Sequence, residues 1–203
     1  MEKIIIETHP NWYHDIPHME ILILGSFPPH ESKRKYEFYY PNTQNRFWKI
    51  LAEIANMPLG KYPKFAPELV LERHRIMEIL DVGVQNMGYK VKRNGISALD
   101  TNIEITEYHD ILSIIKSHPE LKTILLPGYS AQNSTLRSFL RYLAQNEIHA
   151  PEIKDPKGGV TQFSIKIEDR ILECKVLNST STAAKIKYET ILEQFTNAIK
   201  HQL

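Results

Sequence analysis

The 203-residue sequence predicts an α/β fold: one three-layer α/β/α domain spanning 1–203 around a central, mainly parallel sheet. Three observations carry that reading. Short continuous apolar runs, MEILIL at Met19–Leu24 and KTILL at Lys122–Leu126, are cut off by Gly25 and by Pro127-Gly128. This is the pattern of strands buried on both faces. Segments with helical periodicity alternate with these runs. Near the C-terminus, Thr161–Ile167 and Arg170–Leu177 each alternate apolar and polar residues around Glu168-Asp169, as adjacent strands do.

The elements follow in order. After the first strand comes a polar, aromatic stretch running to Gln44. Asn45 to Met57 (NRFWKILAEIANM) then spaces Phe47, Ile50, Leu51 and Ile54 as one helical face, and Pro58 stops it. Pro67 to Leu80 opens with proline and an acid, as a second helix would. Asp81 to Asp100 reads as an irregular connection with a short strand at Gly83–Gln85. Tyr108 to Ser117 reads as a third helix closed by His118-Pro119. Lys122–Leu126 is the second buried strand, and Ser130 to Gln145 the next helix. A small-residue stretch, Asn178–Ala184, leads into a last amphipathic helix that ends near residue 200. In parallel sheets of this kind sites form at the carboxyl ends of the strands. Gly25–Pro29, Pro127–Ser130 and Asn178–Thr182 all follow strands and are expected to meet on one face.

Composition excludes several classes. A single cysteine, Cys174, makes an internal disulfide impossible and rules out four-cysteine zinc and iron–sulfur sites; its strand setting marks it as a buried hydrophobe. No run approaches the roughly 20 apolar residues of a membrane span. The MEKIII start reads as too short for a signal peptide, so a cytoplasmic protein is expected. The nine histidines show no His-x-x-x-His pair on a convincing helix, and Walker and Gly-x-Gly-x-x-Gly loops are absent, so neither metal nor cofactor is expected. Net charge is +1, so any polyanion must be held by a local patch.

The densest segment is Gly25 to Trp48, GSFPPHESKRKYEFYYPNTQNRFW. It joins seven aromatics to the triplet Lys33, Arg34 and Lys35. Such a mixture suits stacking on a nucleobase while cations hold phosphates; the competing reading packs the aromatics as core over the sheet end. Gly25-Ser26-Phe27-Pro28, then Tyr40, then Asn45-Arg46-Phe47-Trp48 resembles the first motif of the uracil-DNA glycosylase superfamily, most closely its hypoxanthine-DNA glycosylase branch. Ser179-Thr180-Ser181-Thr182 stands where that branch carries its second motif, a Ser/Pro-rich turn of the form Ser-Thr-Ser-Pro. The chain departs from the family at Pro29, at Pro41-Asn42-Thr43, and at Asn178 and Thr182. Phe27 and Ser179 stand where many members keep a water-orienting acid or amide and a histidine.

The resemblance implies a monomeric, monofunctional glycosylase that needs no cofactor. It would hydrolyse the N-glycosidic bond of uracil, hypoxanthine or xanthine flipped out of DNA. Asn45 would be the catalytic donor to the departing base, or else an ordinary helix cap. Gly25, Ser26, Phe27, Tyr39, Tyr40 and Ser179 would form the base pocket, with Tyr40 as first choice for stacking and the Ser26 and Phe27 N–H groups as donors. Lys33, Arg34, Lys35, Thr180, Ser181 and Lys185 would hold DNA, the last three at a helix N-terminus. Lys90, Lys92 and Arg93 form a second basic cluster, and Ser97 and Asp100 match a further pattern of the family, with Asp100 a substitute carboxylate or a turn residue. No lysine lies in the core of either motif, which implies no Schiff base. A catalytically silent base- or nucleic-acid-binding protein on the same fold is the alternative from another class.

Overall fold

The computed structural model describes residues 4–96, 100–153 and 161–200. The strands are β1 (Ile4–Thr8), β2 (Ile21–Gly25), β3 (Val82–Asn86), β4 (Gly88–Asn94), β5 (Ile103–Tyr108), β6 (Thr123–Pro127), β7 (Thr161–Ile167) and β8 (Arg170–Leu177). The helices are α1 (Phe47–Ile54), α2 (Pro67–Ile79), α3 (Ile111–Ser117), α4 (Thr135–Gln145) and α5 (Tyr188–Lys200). Five strands form one sheet in the order β3-β2-β6-β8-β7. The first four run parallel, and only β7 is antiparallel, joined to β8 as a hairpin. The fold is therefore mixed α/β with a mainly parallel five-stranded sheet flanked by helices.

All residues of β2, β3 and β6 are buried, which is why β2 and β6 read as apolar runs rather than alternations, whereas β3 carries the buried polar pair Gln85 and Asn86. Helix α2 packs on β3 and α5 on β8, and α1 touches both helices; α4 packs on β6. The Tyr142 hydroxyl of α4 accepts a hydrogen bond from the Leu112 N–H at the start of α3, at 3.0 Å. Cys174 lies buried in β8, and burial pushes its thiol pKa up.

A second, three-stranded antiparallel sheet, β1-β4-β5, has no counterpart in the sequence reading. Within Asp81–Asp100 the short strand expected at Gly83–Gln85 is β3, but in place of an irregular connection it is followed, after Met87 alone, by β4. The chain crosses between sheets beside β2: the Met87 N–H donates to the Gly25 carbonyl (2.8 Å) and the Gly88 N–H to that of Ser26 (3.0 Å). The fit at residue 88 is tight, because a Cβ would lie 3.0 Å from the Phe27 ring, which would have to give way. The helix expected from Tyr108 starts at Ile111. Tyr108 ends β5, and the Asp110 carboxylate caps the Ser113 N–H at 2.9 Å. Helix α4 likewise starts at Thr135, behind the Ser134 cap, rather than at Ser130.

Candidate active site

Strand register places the carboxyl ends of the four parallel strands along one sheet edge. Gly25 lies opposite Asn86, and Pro127 opposite Leu177. The Gly128 N–H donates to the Leu177 carbonyl at 3.0 Å, so the turns after β6 and β8 are in contact. Into this edge come two segments far apart in sequence.

The first brings Asn45. Its Oδ1 accepts from the Phe47 N–H (3.0 Å) and from the Thr180 hydroxyl (2.8 Å). A backbone N–H can only donate, so the amide orientation is dictated and Nδ2 is left as the free end. Nδ2 has no hydrogen-bond partner among the described residues. Asn45 thus caps the first turn of α1 through its oxygen and presents two N–H donors through its nitrogen. Arg46, next in the chain, binds the second segment. Its guanidinium donates to the carbonyls of Thr180 (3.2 Å), Ser181 (2.9 Å) and Ile186 (2.6 Å), and its N–H reaches the Thr180 carbonyl at 3.2 Å.

That second segment differs from expectation. Ser179, Thr180 and Ser181 do not sit at the N-terminus of α5. The Ser181 hydroxyl caps one 3-10 turn, Thr182–Ala184, and Lys185 at φ +53° ends it; α5 begins only at Tyr188. The helix-dipole argument for phosphate binding is therefore lost. Thr180 is buried with its hydroxyl committed to Asn45. The Ser179 hydroxyl is half-buried and accepts from the Ser181 N–H at 3.2 Å. Lys185 and Lys187 are exposed.

The aromatics divide. Tyr39 is fully buried, its hydroxyl donating to Gln85 Oε1 at 3.0 Å and its carbonyl accepting from the Trp48 indole at 2.8 Å. It is core, so the expectation that it stacks on a base is corrected. Tyr40 is half-buried at φ +50°, an unusual backbone setting for an aromatic residue. Its ring stacks on Phe47 with centroids 3.7 Å apart and planes 15° apart. At Phe27 the expected donor to a base is the backbone N–H, not the side chain. That side chain is buried against Val91, Ile103 and Ile105 of the second sheet.

Two basic residues are corrected as well. Arg34 is buried, donating to the Pro29 carbonyl (3.0 Å) and to Glu37 (3.1 Å) while its guanidinium lies 5.1 Å over the Trp12 ring. Arg93 is 1% exposed, gripping Glu7 through Nε and Nη2, both at 3.0 Å, and the Pro28 carbonyl at 2.7 Å. A guanidinium amid carboxylates and carbonyls folds the loop rather than meeting a phosphate. Lys90 pairs with Glu107 at 2.7 Å, while Lys92 is exposed. Lys33 and Lys35 are exposed and line an open cleft of about 840 Å³ with Asn42, Thr43, Gln44 and Ile96. Ser97 lies outside the described residues, and Asp100 opens a 3-10 turn.

Sequence reasoning missed Asn86 and His9. Asn86 ends β3, and a Cβ on Gly25 would lie 2.2 Å from its Oδ1 and 3.4 Å from the Tyr40 hydroxyl oxygen. Gly25 is thus required by its neighbour's carboxamide, whatever else it contacts. Asn86 Nδ2 donates to His9 Nε2 (2.9 Å), leaving the His9 proton on Nδ1 for the Pro10 carbonyl (2.6 Å). Burial, with His109 4.8 Å away centroid to centroid, lowers the His9 pKa to about 3; burial lowers that of His109 to about 4. Only a contact between residues 9 and 86 reveals this pair, and neither lies in a local pattern.

Comparison with protein-family models finds no match for the chain, and comparison with curated proteins finds none either.

Proposed function

We propose that the protein is a monofunctional DNA base glycosylase on a three-layer α/β/α fold. It acts as a monomer on uracil, hypoxanthine or xanthine flipped from DNA. The observation that carries the reading is Asn45: its oxygen is held twice and its Nδ2 donors have no hydrogen-bond partner among the described residues. Breaking the C1′–N bond passes through an oxocarbenium-like state and sends negative charge onto the departing base. A preorganised N–H donor at that charge stabilises the transition state more than the ground state. Water then adds its oxygen to C1′, and its proton neutralises the departing base. The Asn86 carboxamide beside Gly25 and the half-buried Tyr40 ring supply a polar contact and an aromatic face for the base.

One observation favours a second reading, a base-binding protein without catalysis. The Phe27 side chain is a hydrocarbon packed on the second sheet, so it orients no water. One experiment separates the two. Purified protein is incubated with oligonucleotides carrying uracil, hypoxanthine or xanthine, followed by alkali. Strand scission at one of these bases is expected; intact strands with retained binding would establish the silent protein instead.

A further inference from the structure

The loop between α1 and α2 carries a feature that the base-pocket reading does not use. Lys61, Tyr62, Pro63, Lys64 and Phe65 are all exposed, Phe65 at 50% and Tyr62 at 37%. From Asn56 to Ala66 the chain holds two lysines and no acidic residue. Exposure of two rings in a basic, acid-free loop is not explained by packing. Phe65 moreover adopts φ +63°, a costly setting for a bulky side chain.

The loop is nonetheless built to hold that shape. The buried Glu72 carboxylate of α2 accepts from the Gly60 N–H at 2.7 Å and from the Tyr62 hydroxyl at 3.2 Å. A side chain on Gly60 would lie 2.6 Å from the Tyr62 ring and would push that ring from its place beside Glu72. The Phe65 N–H donates to the Lys35 carbonyl at 3.2 Å, which ties the loop to the wall of the 840 Å³ cleft. Lys64 Nζ lies 4.6 Å from the Phe65 ring centroid, which leaves the ring half exposed with a cation beside it.

We infer that Phe65 is a stacking platform for an unpaired base of a single nucleic-acid strand. The backbone of that strand runs along the cleft past Lys33 and Lys35, with Lys64 neutralising phosphate beside the ring. Aromatic stacking is tolerant of sequence, and lysines hold phosphates without reading bases, so the surface recognises the unpaired state rather than a sequence. This inference deepens the glycosylase reading by supplying the strand's path beside the pocket, but it rests on separate residues.

The test uses a fluorescein-labelled, lesion-free thymidine oligomer and the corresponding duplex, with binding read by anisotropy at fixed salt. Wild-type protein is expected to bind the single strand more tightly than the duplex. Phe65→Ala is expected to weaken single-strand binding by about 10-fold to 100-fold, the usual scale of one lost stacked base, and duplex binding by less than about 2-fold. Phe65→Trp is expected to restore it, with the thermal midpoint of every variant showing that the fold persists. Failure of wild-type protein to bind the oligomer overturns the inference, as does a folded Phe65→Ala protein that binds it undiminished. Because the oligomer holds no damaged base, loss of cleavage activity and loss of this surface are read independently.

Discussion

At the residue scale, Asn45 is a helix cap and, under the proposed function, a donor to the departing base, and a substitution can separate the two. Aspartate keeps both acceptor bonds, to the Phe47 N–H and the Thr180 hydroxyl, but has no N–H to offer. Asn45→Asp is therefore expected to fold with near wild-type stability and to cleave a damaged oligonucleotide at least ~100-fold more slowly in single turnover. A variant that cleaves at the wild-type rate would reduce Asn45 to a cap. His9 gives a second expectation, on pH. Its folded-state pKa, about 3, lies below the ordinary value of 6.5. The unfolded chain therefore takes up a proton that the folded one refuses. This contribution to stability is intact above about pH 6.5 and is lost as pH falls toward 3, with a slope approaching ~1.4 kcal/mol per pH unit. His109, lowered to about 4, acts in the same direction. Urea denaturation from pH 7 to 4 should show this slope, and His9→Gln, which can still accept from Asn86, should flatten it. An unchanged slope would place the proton uptake elsewhere.

At the scale of elements, the motif at the start of α1 works as a clamp. Arg46 ties three carbonyls of the 180–186 segment to the helix that Asn45 caps. A lysine cannot reach all three, because it presents one ammonium in place of a planar fork. Arg46→Lys is expected to leave the sheet intact and to speed hydrogen exchange of the Ser181–Lys187 amides by about 10-fold or more, from lost charge-assisted bonds. Exchange at the wild-type rate would show that other contacts hold the segment. The elements also differ in how far local pattern reveals them. β2, β6, β7 and β8 were legible within one or two residues, because burial on both faces or strict alternation writes itself into the sequence, and α2 because a proline and an acid mark its first turn. β4 and β5 were not. GYKVKRN and IEITEY bury one residue in two or fewer, and the burial is against Phe27, a residue from another part of the chain.

At the scale of the whole molecule, a net charge of +1 leaves binding of a polyanion to local placement. The sequence offers Lys33, Arg34 and Lys35 as a unit, but the structure turns Arg34 inward and leaves two cations at the cleft. Lys33→Gln with Lys35→Gln should weaken binding to lesion-free duplex DNA and reduce the slope of log affinity against log salt by about 1.8. The choice of base excised should not change. Arg34→Gln should instead lower the thermal midpoint, through the lost Pro29 and Glu37 bonds. Lys116→Gln with Lys122→Gln is the control pair. These lysines pair with Glu168 and Glu20, beside the opposite, amino-terminal ends of β8 and β6. Equal weakening by both pairs would mean that no patch exists. Among the described residues no helix is long and apolar enough to cross a membrane.

The sequence by itself determined which segments are buried strands and amphipathic helices, that loops after β2, β6 and β8 share an edge, and that Asn45 and Thr180 belong to candidate motifs. Those properties are local: hydrophobic period, stop residues and motif spacing are all read within a dozen positions. Only the tertiary structure decided which of two adjacent tyrosines faces the core. It also decided that Arg34 and Arg93 fold loops instead of meeting solvent, that α5 starts after Ser181 rather than at it, and that His9 supports Asn86. For three of these the outcome rests on a partner far off in the chain: Gln85 for Tyr39, Glu7 for Arg93, Asn86 for His9. A side chain's direction is set by whichever distant group satisfies it, and neighbouring sequence carries no record of that group.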